Sequence, residues 1–267
     1  MKKSILAACA GLLATHAYAA DWSGPHVGAA GAYGFGDAKT NVSSSQGTNN
    51  LLPAVFGPAQ ASLSPSSWTS HPNGALIGGQ AGYDWQRGSM VYGVEADVMA
   101  GAISGNTSAS NTVVAPGFAG FPMSYTVGVT DKISALGTLR GRIGWATASN
   151  WLVYGTGGLA WGNTQSTVTG NGQFGGGAGV NINQSNNPAT SSATRVGWTL
   201  GAGAEYAINN KWSLRGEVLY YDLGKSNNNY SIISTAGVAP GAATTTSITA
   251  STKWTGELIR FGINYRF

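Results

Sequence analysis

Apolar residues recur at every second position along much of the chain, separated by small or polar ones, and eight such stretches can be traced. A period of two places alternate side chains on one face of a β-strand, whereas the same residues would scatter around a helix. The first stretch, about 25–36, puts Val27, Ala29, Gly31, Tyr33 and Phe35 on one face, and the second, 75–85, does so with Ala75, Ile77, Ala81, Tyr83 and Trp85. The third carries Met90, Tyr92, Val94, Ala96 and Val98, and the fourth, about 131–145, carries Ile133, Ala135, Leu139, Ile143 and Trp145. The fifth, about 151–163, has no clear face, because Tyr154 and Trp161 fall on opposite parities. The sixth is the most regular, with Val196, Trp198, Leu200, Ala202, Ala204, Tyr206 and Ile208. The seventh shows Trp212, Leu214, Val218 and Tyr220, and the eighth Ile259, Phe261, Ile263, Tyr265 and Phe267.

Short turns join some neighbours: Gln86-Arg87-Gly88-Ser89, Thr147-Ala148-Ser149-Asn150 and Asn209-Asn210-Lys211. Between the others run long Ser/Thr/Asn/Gly/Ala stretches, roughly 37–73, 101–127, 164–194 and 225–252. Strands about 9–11 residues long, short turns on one side and long loops on the other are the marks of a transmembrane barrel. Closure has a physical reason, since lipid offers no hydrogen-bond partner to an open sheet edge. The expected fold is therefore all-β, an eight-stranded antiparallel transmembrane β-barrel with long extracellular loops and short periplasmic turns. Ten strands would result if 101–130 held a further hairpin.

Composition narrows the alternatives. Charged residues are 9% of the 267, against about 25% for an ordinary soluble domain. Past residue 20 no stretch approaches the roughly 20 consecutive apolar residues of a spanning helix. With 9 Trp, 11 Tyr and 7 Phe, the chain is too aromatic for intrinsic disorder. Residues 1–19 read as an export signal: Lys2 and Lys3, a short apolar core, and an Ala17-Tyr18-Ala19 cleavage site. Cleavage after Ala19 would leave a single domain, residues 20–267. Leu6-Ala7-Ala8-Cys9 superficially matches a lipoprotein site, but an apolar run and a second cleavage site follow it. Losing Lys2 and Lys3 lowers the net charge from +4 to +2, and no basic tract remains for nucleic acid.

Charge gathers on the parity opposite the apolar face. Glu95, Asp97, Arg140, Arg142, Glu205, Arg215, Glu217 and Arg260 all fall there, four carboxylates and four guanidiniums. An Arg facing mid-bilayer costs roughly 2–4 kcal/mol, so these side chains are expected inside the barrel. Two readings follow: a paired plug that closes the lumen, or the lining of a narrow ion path. Small inward residues (Gly197, Gly201, Gly203, Ala207, Gly262) leave room for the second. Carboxylates matched by as many guanidiniums suit ion pairing rather than proton donation. No catalytic set, metal site or cofactor is expected.

Several segments carry a family resemblance: Trp22-Ser23-Gly24-Pro25-His26-Val27-Gly28, Val91-Tyr92-Gly93-Val94-Glu95-Ala96-Asp97, Leu139-Arg140-Gly141-Arg142-Ile143-Gly144, Val153–Ala160, Gly197–Tyr206 and the terminal Phe267. The chain resembles the alphaproteobacterial porin-family, or opacity-like, outer-membrane barrels, relatives in architecture of OmpA and OmpX. The resemblance covers the barrel and none of the long loops, and brings no catalytic residues. It implies outer-membrane residence among lipid and lipopolysaccharide, a role in envelope integrity, and exposure to host or phage surface ligands. Phe261, Ile263, Tyr265 and Phe267 resemble the final-strand signal read by the barrel-assembly machinery.

The long loops are nearly uncharged, with no Lys, Arg, Asp or Glu in 101–130, 163–194 or 226–252. They can hydrogen-bond sugars or proteins but cannot steer charged ligands. A haemin ligand would have to come from His71, Tyr125 or Tyr230. A hydrolase would have to use His26 or His71, and the sequence shows no acid near either.

Overall fold

A computed structural model of the chain describes residues 20–46, 67–114, 122–174, 183–185, 189–235 and 243–267. Eight long strands dominate them: β1 (Gly24–Gln46), β3 (Asn73–Arg87), β4 (Met90–Val114), β5 (Pro122–Ala146), β6 (Trp151–Phe174), β8 (Ala189–Ala207), β9 (Trp212–Thr235) and β10 (Ala243–Arg266). The short strands β2 (Ser67–Ser70) and β7 (Asn183–Ser185) pair with the outer parts of β1 and β6. The long strands run antiparallel in the ring order β1-β3-β4-β5-β6-β8-β9-β10. β10 then pairs with β1 from His26↔Arg266 to Gln46↔Thr246, closing the barrel.

The three short turns are built as their residues suggest. Gly88 (φ 57°) and Asn150 (φ 63°) take the left-handed conformations their turns need. The Asn209 carboxamide accepts from the Lys211 and Trp212 amides at 2.9 Å each. The opposite end departs from expectation. Among the described residues the four long stretches are mostly strand, and those of 101–130 form no added pair but the outer halves of β4 and β5, in register from Ser104↔Lys132 to Val114↔Pro122. A strand of 24 residues measures about 80 Å along its path, far beyond a bilayer crossing. Thr is a good strand residue and Ser a tolerated one, so these segments pair without a lipid-facing apolar side.

Lipid-facing positions follow the predicted parity almost throughout: Ile77, Leu139, Ile143, Val196, Leu200 and Phe261 are all at least half exposed. The exception is Ile133, expected outward but buried at 1%. Bulges opposite one another, between Ala100 and Ile103 and between Ile133 and Ala135, shift the parity there and turn Ile133 inward beside Ile103. β6 also gains a face, with Tyr154 inside (3% exposed) and Trp161 on the outer wall.

Aromatic rings mark the edges of the lipid band. At the short-turn end Trp85 stacks on Tyr92 (5.8 Å), Trp151 meets Tyr206 (5.0 Å) and Trp212 meets Tyr265 (5.0 Å). At the far edge Tyr33 meets Phe35 (5.0 Å) and Trp198 meets Tyr220 (5.3 Å). From Trp151 to Trp161 the path is about 33 Å, which at a tilt of roughly 40° gives the ~25 Å apolar height of an outer-membrane barrel.

The barrel interior as the candidate functional site

Inside the wall the side chains form layers. Nearest the short turns, Trp22 is fully buried and packs with Val91, Ala146, Leu152, Tyr154 and Ala207. Its amide donates to the Gln86 carboxamide at 2.7 Å, and Arg266 lies over its ring at 4.8 Å. Further out, Leu76, Met99, Ile103, Ile133, Leu136, Leu219 and Leu258 form a second apolar layer. The predicted charges lie between these two layers.

All eight predicted residues are buried and joined in one network. Arg140 donates to Glu95 (2.5 Å), Asp97 (3.0 Å), Glu217 (2.8 Å) and Thr138 (2.8 Å). Arg215 reaches Glu95 and Glu217, and its Nε donates to the Tyr154 hydroxyl at 2.6 Å. That hydroxyl donates in turn to Glu217 at 2.9 Å. Arg260 donates to Asp97 (3.1 Å), Glu217 (3.3 Å) and Gln80 (3.1 Å). Arg142 donates to Glu205 at 3.1 Å and lies 4.0 Å from Glu95. β4 and β9 stand opposite one another in the ring of eight, so the Glu95–Arg215 pair spans the full lumen.

The structure adds members that the charge count left out. Asp84, fully buried, receives a two-pronged contact from Arg142, and buried Arg266 lies 3.9 Å from Glu205. Their parity was readable, because Asp84 alternates with Tyr83 and Trp85, and Arg266 with Tyr265 and Phe267. With them the lumen holds five carboxylates and five guanidiniums. His26 is buried too, 3.3 Å from Asp84 and 3.5 Å from Glu95, so an acid does stand beside it. Tyr154 is flanked by Arg142 and Arg215, each 5.3 Å from its ring centre.

The small inward residues lie tight against neighbouring strands. A Cβ on Gly203 would stand 2.5 Å from the Tyr154 hydroxyl, and one on Gly201 would stand 2.5 Å from a Leu219 methyl. Gly197 and Gly262 face backbone oxygens of β9 and β1 just as closely, and Ala207 belongs to the Trp22 layer. At Gly201 and Gly203 the missing side chain admits a large one from a neighbouring strand, Leu219 and Tyr154.

Above the apolar layer the extension encloses a polar interior. Asp131 is buried there and accepts from Ser70 at 2.5 Å, and the Thr40 and Thr252 hydroxyls meet at 2.9 Å. Burial pushes the Asp131 carboxyl above its usual range, partly offset by the Ser70 and Ser166 hydroxyls. His71 is on the outer surface, 2.7 Å from Asp37. The side chains of Tyr125 and Tyr230, like residues 1–19 with Ala17 and Ala19, lie outside the described residues. Phe261, Ile263, Tyr265 and Phe267 share the outer face of β10, Phe267 at 73% exposure.

A family match agrees with this architecture. The family model described as "Outer membrane protein beta-barrel domain" matches residues 5–267. A 31 kDa outer-membrane immunogenic protein of Brucella melitensis is 34% identical over 247 residues, covering 85% of this chain and 89% of that protein. A 22 kDa outer membrane protein of Rhizobium leguminosarum is 29% identical, covering 76% of this chain and 65% of its own length. Among solved structures, OprG of Pseudomonas aeruginosa is similar at a TM-score of 0.40 and 13% identity, covering 94% of this chain and 98% of that one.

Proposed function

The chain belongs to the family of outer-membrane protein β-barrel domains and resides in the outer membrane, and from that premise we propose that it works as a closed structural barrel, not as a conduit. The observation that carries this reading is the Glu95–Arg215 pair across the lumen, inside a network of matched charge. An apolar layer lies on either side of it. An ion crossing the barrel would have to part several desolvated guanidinium–carboxylate pairs and two dry layers. Removing one partner of a single buried pair already costs about 3–5 kcal/mol.

What the barrel offers to its surroundings is then its wall and its long strand extensions. The Brucella relatives are named immunogenic, and we read the extensions as the surface-exposed, antigenic part of this chain, open to host or phage ligands. Removal of residues 1–19 after Ala19 would leave Trp22 close to a free terminus, able to enter and cap the lumen. The mass of the protein extracted from envelopes tests that cut. The alternating outer face of β10, ending at Phe267, fits a role as the segment held by the barrel-assembly machinery.

Conductance of the purified protein in a planar lipid bilayer tests the central claim. Silence over many insertions is expected. Steady unitary steps would make the protein a small porin instead.

A further inference from the structure

We infer that the outer wall of β1, β10 and β9 binds the phosphorylated sugar headgroup of an outer-leaflet glycolipid, with Lys39, Lys253 and Lys225 as phosphate ligands. The three lysines lie in register on adjacent strands, Lys39↔Lys253 and Lys253↔Lys225, and all three are exposed. Like charges directly opposite one another destabilise a sheet unless something neutralises them. Among the described residues only Lys253 has a carboxylate within reach, Asp222 at 3.0 Å.

The alignment depends on one irregularity. Tyr221 and Leu223 point inward, so an unbroken strand would turn Lys225 inward as well. A bulge intervenes: Gly224 takes φ 76°, the register against β10 jumps between Thr255 and Lys253, and Lys225 emerges on the outer face. The Arg195 guanidinium reaches the Lys225 carbonyl at 3.1 Å and adds positive charge beside the row.

Position on the wall identifies the ligand. About 13 Å below the lysines, four residues along β1 and β10 and five along the bulged β9, the same strands present Phe35, Glu257 and Tyr220 at the aromatic edge of the lipid band. Between the two levels lies a cleft of about 380 Å³ lined by Phe35, Asp37, His71, Asn73, Tyr220 and Glu257. Aromatic faces with amide, imidazole and carboxylate groups suit a sugar ring and its hydroxyls. The carboxylates nearest the lysines are both engaged, Asp37 with His71 and Asp222 with Lys253. Below the cleft Ile259, Phe261 and Val218 continue an apolar wall for acyl chains. Free phosphate could use only the lysines; a glycolipid anchored in the outer leaflet uses all three levels. This site is independent of whether the lumen conducts.

The test is native mass spectrometry of the detergent-solubilised full barrel with diphosphoryl lipid A, with fully dephosphorylated lipid A, and with inorganic phosphate. Diphosphoryl lipid A should be retained as a single adduct, with the other two at least about tenfold weaker. K39Q/K225Q/K253Q should lower its retention about tenfold, and K39Q alone about threefold. The control K132Q/K211Q should match the parent protein. Heat-dependent gel mobility verifies that each variant is folded. Equal retention by the triple variant, or of dephosphorylated lipid A by the parent protein, would overturn the assignment. So would inorganic phosphate binding as tightly as the lipid, which would leave an anion site with no lipid component.

Discussion

Arg140→Ala is the most direct probe of the lumen. Arg140 is 1% exposed, and its guanidinium serves three carboxylates and a hydroxyl. Deleting it leaves five buried carboxylates facing four guanidiniums. A buried ion pair that loses one partner costs about 3–5 kcal/mol, most of it the penalty of the charge left behind. Here each bereaved carboxylate keeps another guanidinium: Glu95 keeps Arg215, Asp97 keeps Arg260 at 3.1 Å, and Glu217 keeps both. The expected loss is therefore at the lower end, about 3 kcal/mol. Arg140→Lys retains the charge but not the fork, and should lose about half as much. Arg140→Met with Glu217→Gln restores neutrality and should recover most of the loss. Urea unfolding in phospholipid vesicles, followed by tryptophan fluorescence, measures all three. A loss under about 1 kcal/mol for Arg140→Ala would mean that the lumen is wet and the pairs are screened as on a surface. In that event the closed-barrel reasoning fails with it. Arg140→Ala should also stay electrically silent, because the Glu95–Arg215 bridge and both apolar layers remain.

Four further outcomes follow from the geometry. Gly203→Ala would drive a Cβ to 2.5 Å from a Tyr154 hydroxyl pinned by Glu217 and Arg215, costing about 1–3 kcal/mol in the same unfolding assay. Gly141→Ala, whose nearest neighbour is 4.0 Å away, should be close to neutral. Asp131 lies above the lipid band and its carboxyl is raised by burial, so the unfolded chain ionises it at lower pH than the folded barrel does. Stability is then lost as pH rises through the ordinary carboxylate range toward the raised value, and Asp131→Asn should stabilise at neutral pH with the gain vanishing in acid. A parent–variant difference that does not change with pH would refute this. Deleting Phe267, whose ring edges Tyr265 at 5.2 Å and whose amide donates to the Pro25 carbonyl at 3.2 Å, should cost only about 1–2 kcal/mol on refolding into vesicles yet sharply reduce assembled barrel in cells; equal cellular yields would exclude an assembly role.

The barrel was legible wherever one face meets lipid, because the two faces then need opposite chemistry and parity alone sorts them. Glu95, Asp97, Arg140 and Arg142 could be placed inside from the neighbours they alternate with. Parity fails where a strand gains or loses a residue, which is why Ile133 was misplaced: its bulge carries no sequence mark beyond small neighbours. It also fails where neither face meets lipid. The outer halves of β4, β5, β9 and β10 have no apolar side to reveal them, and their Ser/Thr/Asn composition reads equally well as loop. The glycines of β8 were ambiguous for another reason. A missing side chain marks either space or a neighbour's intrusion, and only the partner strand decides between Tyr154 and a channel.

Parity and charge balance together account for the low formal charge of the surface. Once β-closure divides the wall into lipid and lumen faces, acidic and basic side chains in the membrane span can go only inward, and the narrow lumen forces them into contact. The register β4–β5 sets Glu95 directly beside Arg140, and β9–β10 sets Glu217 beside Arg260. Those cross-strand neighbours then reach across to opposite walls, so that the same pairs that satisfy charge also fix the barrel's cross-section. Charged side chains turned outward instead lie at or above the aromatic edge on these strands, where the lysine row crosses β1, β10 and β9 and the strands continue outward.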